Sequence, residues 1–171
     1  MFFKTNKKLN LINGLKITKS NSEDALNIIS SKFNIQNCKI AQTNSDAIDV
    51  DFSNGSIDQC QFNNIGILGG GDGIDTSGSD ILIKNINFNL VSDKAISIGE
   101  RSSATIINAS INKSSIGIAA KDGSDVKIID GVISNAGYSA LMAYIKKKEY
   151  KGSVIDVSNL NVIGTKNYIA D

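Results

Sequence analysis

The chain is 171 residues long, 41% hydrophobic, with 18 Lys and Arg against 17 Asp and Glu. That is enough apolar chain for one core, and it leaves no net charge that would attract nucleic acid. It contains no histidine, which excludes Ser-His-Asp and Cys-His nucleophiles and His-ligated zinc.

The skew within the composition points to strands and turns. There are 28 Ile but 9 Leu, and 14 Asp but 3 Glu, with 20 Asn, 21 Ser and 15 Gly. Ile suits strands, while Asn, Asp, Gly and Ser suit tight turns. Residues 1–8 form a basic, briefly apolar lead-in without the ordered regions of a signal peptide. No stretch approaches the roughly 18 apolar residues of a membrane span.

From residue 9 the chain divides into seven segments: 9–30, 31–53, 54–79, 80–102, 103–124, 125–153 and 154–171. Each opens with an apolar residue: Leu11, Ile35, Ile57, Ile83, Ile106, Ile128 and Val157. Two residues on stand Asn13, Asn37, Gln59, Asn85, Asn108, Asp130 and Asn159. A second apolar column holds Ile40, Phe62, Phe88, Ile111, Ile133 and Val162, with Ile17 one place late in the first copy. The second half of each segment pairs a small residue with Ile or Leu, as in Ala47-Ile48, Gly73-Ile74, Ala95-Ile96 and Gly117-Ile118. Apolar residues then recur with a period of two, a strand signal.

A segment of this size cannot bury an apolar face alone, but stacked on its neighbours it can. The expectation is an all-β solenoid of about seven parallel coils covering 9–171, each coil rising by about 4.8 Å. A leucine-rich repeat would need more Leu and a convex helix. Only 139–150 could be read as one helical turn or more. Cys38 and Cys60 fall one above the other. They read as two small buried thiols, with a bridge near reach.

The chemistry concentrates around the second half-segment. Asp24, Asp46, Asp72 and Lys94 precede the small residue, and Asn27, Asp49, Asp75 and Ser97 follow the Ile or Leu. Asp51, Ser77, Gly99 and Lys121 lie two further on. The pattern predicts one exposed face with Asp46, Asp49, Asp51, Asp72 and Asp75, followed by Lys94, Glu100, Arg101 and Lys121. Stacked carboxylates repel unless a cation, a shared proton or a basic group intervenes. Oxygen-only ligands suit calcium (Ca2+), which Asp49, Asp72 and Asp75 would hold. Asp before Gly or Ala is also ordinary turn chemistry.

These columns resemble the right-handed parallel β-helix repeat superfamily, the pectin-lyase-like proteins. The resemblance implies right-handed coils, a single-stranded helix, a polysaccharide ligand and an extracellular or cell-envelope location. Asp72-Gly73-Ile74-Asp75 followed by Ser92-Asp93-Lys94-Ala95-Ile96 is similar to the polygalacturonase family. By position, Asp72 and Asp93 match two of its three catalytic aspartates, Lys94 replaces the third, and Ile116 stands where the family has a histidine.

The leading expectation is a surface module presenting the strip to a polysaccharide, with Asp46, Asp51, Ser97, Glu100 and Lys121 as contacts. One alternative is a degenerate hydrolase using Asp72 and Asp93. Another is a Ca2+-assisted lyase on a uronic-acid polymer, with Lys94 or Arg101 as base. The last is a structural solenoid fragment whose ends meet further coils. The Lys146-Lys147-Lys148-Glu149 run reads as a solvated insertion.

Overall fold

The computed structural model describes residues 2–4 and 8–170, with side chains from residue 8 on. It is a parallel solenoid with three faces, its strands stacked coil on coil. The first face holds β2 (Leu9–Asn13), β5 (Lys32–Gln36) and β8 (Asn54–Asp58). The opening parts of β11 (Asp80–Gly99), β12 (Ser103–Lys121), β13 (Asp125–Ser134) and β15 (Val154–Ile163) continue it. The second face holds β3 (Lys16–Ser20), β6 (Lys39–Thr43) and β9 (Gln61–Ile65), then the middle parts of β11 and β12. The third holds β1 (Phe2–Lys4), β4 (Asp24–Ile29), β7 (Asp46–Asp51) and β10 (Ile74–Ser77). The closing parts of β11 and β12, then β14 (Ser139–Tyr144) and β16 (Asn167–Ala170), complete that face. Every pairing is parallel. Seven stacked segments give about six coil-to-coil steps.

The corners explain the Asn column. Asn37, Gln59, Asn85, Asn108, Asp130 and Asn159 all have φ between 50° and 58°. One left-handed residue turns the chain from the first face to the second, and after Gly it is Asn and Asp that tolerate that conformation best. Their amides bond along the stack: Asn108 Nδ2 donates to Asn85 Oδ1 at 2.9 Å, and Asn85 Nδ2 to Asp58 Oδ1 at 2.9 Å. A second ladder, absent from the sequence reading, joins Asn63, Asn89, Asn112 and Asn135 at the next corner. Buried serines hold the third corner. The hydroxyls of Ser53, Ser79 and Ser102 each accept the backbone N–H of the serine one coil below.

The core lies inside the three faces. Ile35, Ile57, Ile83, Ile106 and Ile128 form one fully buried column. Phe62 and Phe88 stack with centroids 4.6 Å apart. The two glycines in the small-residue column have a reason: a Cβ at Gly73 would collide with the Phe88 ring, and one at Gly117 would lie 2.5 Å from the Ala140 carbonyl and 2.9 Å from Ile133.

Three expectations are corrected. The first copy sits one residue out of the expected register, because Ile12, not Leu11, pairs with Ile35. Leu11 faces solvent, Gly14 takes the left-handed corner at φ 73°, and Ile17 falls in line with Ile40. The stretch 139–150 is not helical: it is β14 followed by a turn. Cys38 and Cys60 form a disulfide between adjacent coils, with Cα atoms 4.5 Å apart, rather than two free thiols.

Phe88 touches both the aromatic stack and the Gly73 notch, so Phe88→Ala should lower stability by about 3–5 kcal/mol. Phe52→Ala, at an exposed corner, should change it by no more than about 0.5 kcal/mol. Thermal and urea melts followed by circular dichroism distinguish the two.

Candidate functional site

The third face carries the acidic residues in register. Asp24 pairs with Asp46, and Asn27 with Asp49; Asp49 pairs in turn with Asp75, and Asp75 with Ser97. Asp51 pairs with Ser77, and Ser77 with Gly99. The inward residues Ile48, Ile74 and Ile96 fix this outcome, because alternation sends Asp49, Asp75 and Ser97 to the outer side.

The face is less open than the pattern predicts. Lys121 is only 4% exposed. Its stem crosses Gly99, where a Cβ would lie 3.1 Å from the lysine Cγ. Its Nζ donates to Asp75 Oδ1 at 3.1 Å, two coils back. Ser97 in the same row is fully buried, and its hydroxyl has no hydrogen-bond partner among the described residues. Ser97 is therefore not a surface contact as it stands, and Lys121 is an internal counter-ion.

The column before the small residue does turn work across coils. Asp46 Oδ1 accepts the Asp72 N–H at 2.8 Å, and Asp72 Oδ1 accepts the Lys94 N–H at 2.9 Å. Lys94 Nζ also lies 3.4 Å from Asp72 Oδ1 and donates to Asp93. Burial works to lower the Lys94 pKa, but Asp72 and Asp93 outweigh it and hold the ammonium above its ordinary value. Lys94 keeps its proton at neutral pH and cannot serve as the base expected of it. The other expected base, Arg101, lies over the Tyr150 ring, 5.3 Å from its centroid. Glu100 accepts from Ser77 and pairs with Lys147 at 2.6 Å. Burial tends to raise its pKa, but these partners hold it below the usual carboxylate value.

Asp46, Asp49 and Asp51 have no ammonium partner among the described residues. Burial, with Asp51, Asp24 and Asp75 nearby, pushes Asp49 up to about 8. Burial raises Asp46 to about 6 even though it accepts the Asp72 N–H, with Asp75 and Asp24 adding to the rise. Burial takes Asp72 to about 7 against the pull of Lys94. Asp51 is raised by burial and by Asp75. Burial thus holds Asp46, Asp49 and Asp72 above the usual carboxylate range, which lets these carboxyls donate as well as accept hydrogen bonds near neutral pH.

The calcium expectation fares differently. Among the described residues, no three metal-ligating side chains gather closely enough to hold an ion. Asp72 and Asp75 instead carry lysine ammonium groups. The set Asp49, Asp72 and Asp75 does not fit Ca2+ in this arrangement.

The sequence reading missed three parts of the site. Asn27 Nδ2 bridges Asp24 at 2.9 Å and Asp49 at 2.8 Å. Tyr144 stands beside Lys121 in the next coil. Phe52, directly after Asp51, is 68% exposed at the rim. Only Asn27 had a signal, through its place in the Asp49 column.

A buried acid with a raised pKa destabilises the fold as pH climbs. The folded row binds more protons than the unfolded chain from about pH 4 to about pH 8, so its contribution to stability falls across that window. Asp49→Asn should raise Tm at pH 8 by at least roughly 2–4 °C, the shift made by about one kcal/mol in a domain of this size. At pH 5 the gain should shrink. Calorimetric melts at both pH values check the sign.

Comparison with known proteins places this geometry. The family described as "Right handed beta helix region" matches residues 8–170. No curated protein matches the chain. Among solved structures, the periplasmic alginate epimerase AlgG is similar in fold, with 8% identity and a TM-score of 0.54, over 95% of this chain and 51% of that one. The catalytic domain of a GH87 alpha-1,3-glucanase, in complex with tetrasaccharides, matches at 10% identity and TM-score 0.42, over 94% of this chain and 48% of that one. The chain thus spans about half the length of each of these structures. With parallel coils, the stacked Ile core and a family match over nearly its whole length, the chain belongs to the right-handed β-helix family.

Proposed function

We propose that the third face binds a polysaccharide, and that the chain acts as a polysaccharide-binding module of the cell envelope or extracellular space. One observation carries this reading: Asp46, Asp49, Asp51, Asp72 and Asp75 share the outer side of the third face on two adjacent coils, shielded in part from water, and burial holds Asp46, Asp49 and Asp72 above the usual carboxylate range. A sugar chain offers hydroxyls that both donate and accept, and neutral carboxyls beside ionised ones match both roles. Phe52 and Tyr144 provide apolar surface at the rim. The fold it shares with a protein named as an alginate epimerase is in keeping with this class of ligand. The Cys38–Cys60 disulfide suits an oxidising compartment.

A second reading, glycoside hydrolysis, is favoured by one specific feature. Asp49, raised to about 8, is the ladder partner of Asp75, which Lys121 binds. A protonated acid beside a carboxylate is the pair such hydrolysis uses. The lyase reading has lost support, since Lys94 holds its proton and Arg101 is engaged with Tyr150.

Affinity electrophoresis through gels containing neutral glucans, pectate or alginate, with and without Ca2+, tests binding. The expected result is retarded migration in at least one gel, weakened about tenfold by Asp51→Ala combined with Phe52→Ala. Free migration in every gel would remove the proposal. Release of reducing ends from a retained polymer, lost in Asp49→Asn, would turn the reading toward hydrolysis.

A further inference from the structure

Resting on the polysaccharide reading, we infer that the strip selects a polymer bearing primary ammonium groups, such as a de-N-acetylated amino-sugar chain, seated on Asp46, Asp49 and Asp51. The protein shows the chemistry on its own neighbouring coils. Lys121 reaches Asp75, and Lys94 reaches Asp72, so two of the five aspartates in the strip already hold an ammonium group. The other three hold none among the described residues. Asp46 and Asp49 lie one coil before the occupied pair, in the same columns, and Asp51 stands two residues beyond Asp49, in line with Ser77.

A second feature points to the same occupant. Asn27 lies in register with Asp49 and is only 7% exposed. Its Nδ2 serves Asp24 and Asp49, which leaves its Oδ1 buried without a partner among the described residues. An unpaired buried acceptor costs on the order of 1–3 kcal/mol. An ammonium carries three donors and no acceptor. Placed between Asp49 and Asp51, it would supply donors to carboxylates and to this amide oxygen alike. A uronate would bring a further carboxylate to a face already crowded with carboxyl groups, with no free ammonium there to meet it, and would be disfavoured. Binding would also expel protons. Asp49 is held neutral by burial and by Asp51, Asp24, Asp75 and Asp46, and an arriving cation offsets all five influences.

The test is calorimetric titration at pH 7 with three hexasaccharides: glucosamine, N-acetylglucosamine and galacturonate. A lysine hexapeptide serves as the non-sugar control. The glucosamine hexamer should bind at least about tenfold tighter than the other sugars and than the peptide. It should release protons, read as a heat that changes between phosphate and Tris buffers. Asp49→Asn should remove the preference and the proton release. Lys121→Met frees Asp75 and should strengthen glucosamine binding, an outcome that damage to the fold would not produce. Equal binding of glucosamine and N-acetylglucosamine hexamers would overturn the inference while leaving a polysaccharide site intact. Tighter binding of galacturonate, or of the lysine peptide, would overturn it as well. No binding of any hexasaccharide would remove the inference together with the reading on which it rests.

Discussion

Everything in this molecule follows from parallel strands placing like residues on like at about 4.8 Å. For apolar columns that repetition is an advantage. Ile35, Ile57, Ile83, Ile106 and Ile128 each cover the next and leave water nowhere to enter. For amides it is also favourable, because each side chain both donates and accepts, and the two corner ladders run coil to coil. For carboxylates it is a penalty, and the third face shows each way of relieving it. Asp72 and Asp75 take an internal ammonium. Asp46 and Asp72 accept backbone N–H groups from the next coil. Asp49 holds on to its proton.

The architecture was legible in the sequence because its signal is a repeat, and repeats survive local noise. The columns from Ile35 to Val157 lie where the segment pattern puts them. The first copy misled for a local reason. Leu11 and Ile12 are both apolar, so hydrophobicity cannot choose between them, and only the lateness of Ile17 hinted at a shift later confirmed by its pairing with Ile40. The site was legible in part. The row of aspartates could be placed, since alternation beside inward Ile residues fixes their side. Its burial could not. At Gly99 and Asp75 the cover comes from Lys121 bending back across two coils, and no local pattern encodes the direction a lysine stem takes.

Gly99 shows how a residue without side-chain chemistry can shape the site. It stands in line with Asp51 and Ser77, a position where any Cβ would meet the Lys121 stem. The missing side chain opens a channel along which the ammonium reaches Asp75. Ser97, two residues before Gly99, is fully buried, its hydroxyl without a partner among the described residues. Charge pairing across coils thus depends on a small residue in the intervening coil.

The two lysines also separate the chemical possibilities. A catalytic lysine base must lose its proton near neutral pH, which requires burial to dominate over nearby anions. Lys94 and Lys121 experience the reverse balance. Burial would lower both, but Asp72 and Asp93 for one, and Asp75 for the other, hold their protons in place. These ammonium groups act as fixed positive charges rather than proton carriers. The groups that burial moves toward neutral pH are Asp46, Asp49 and Asp72, so proton exchange on this face falls to its carboxyls rather than to its lysines.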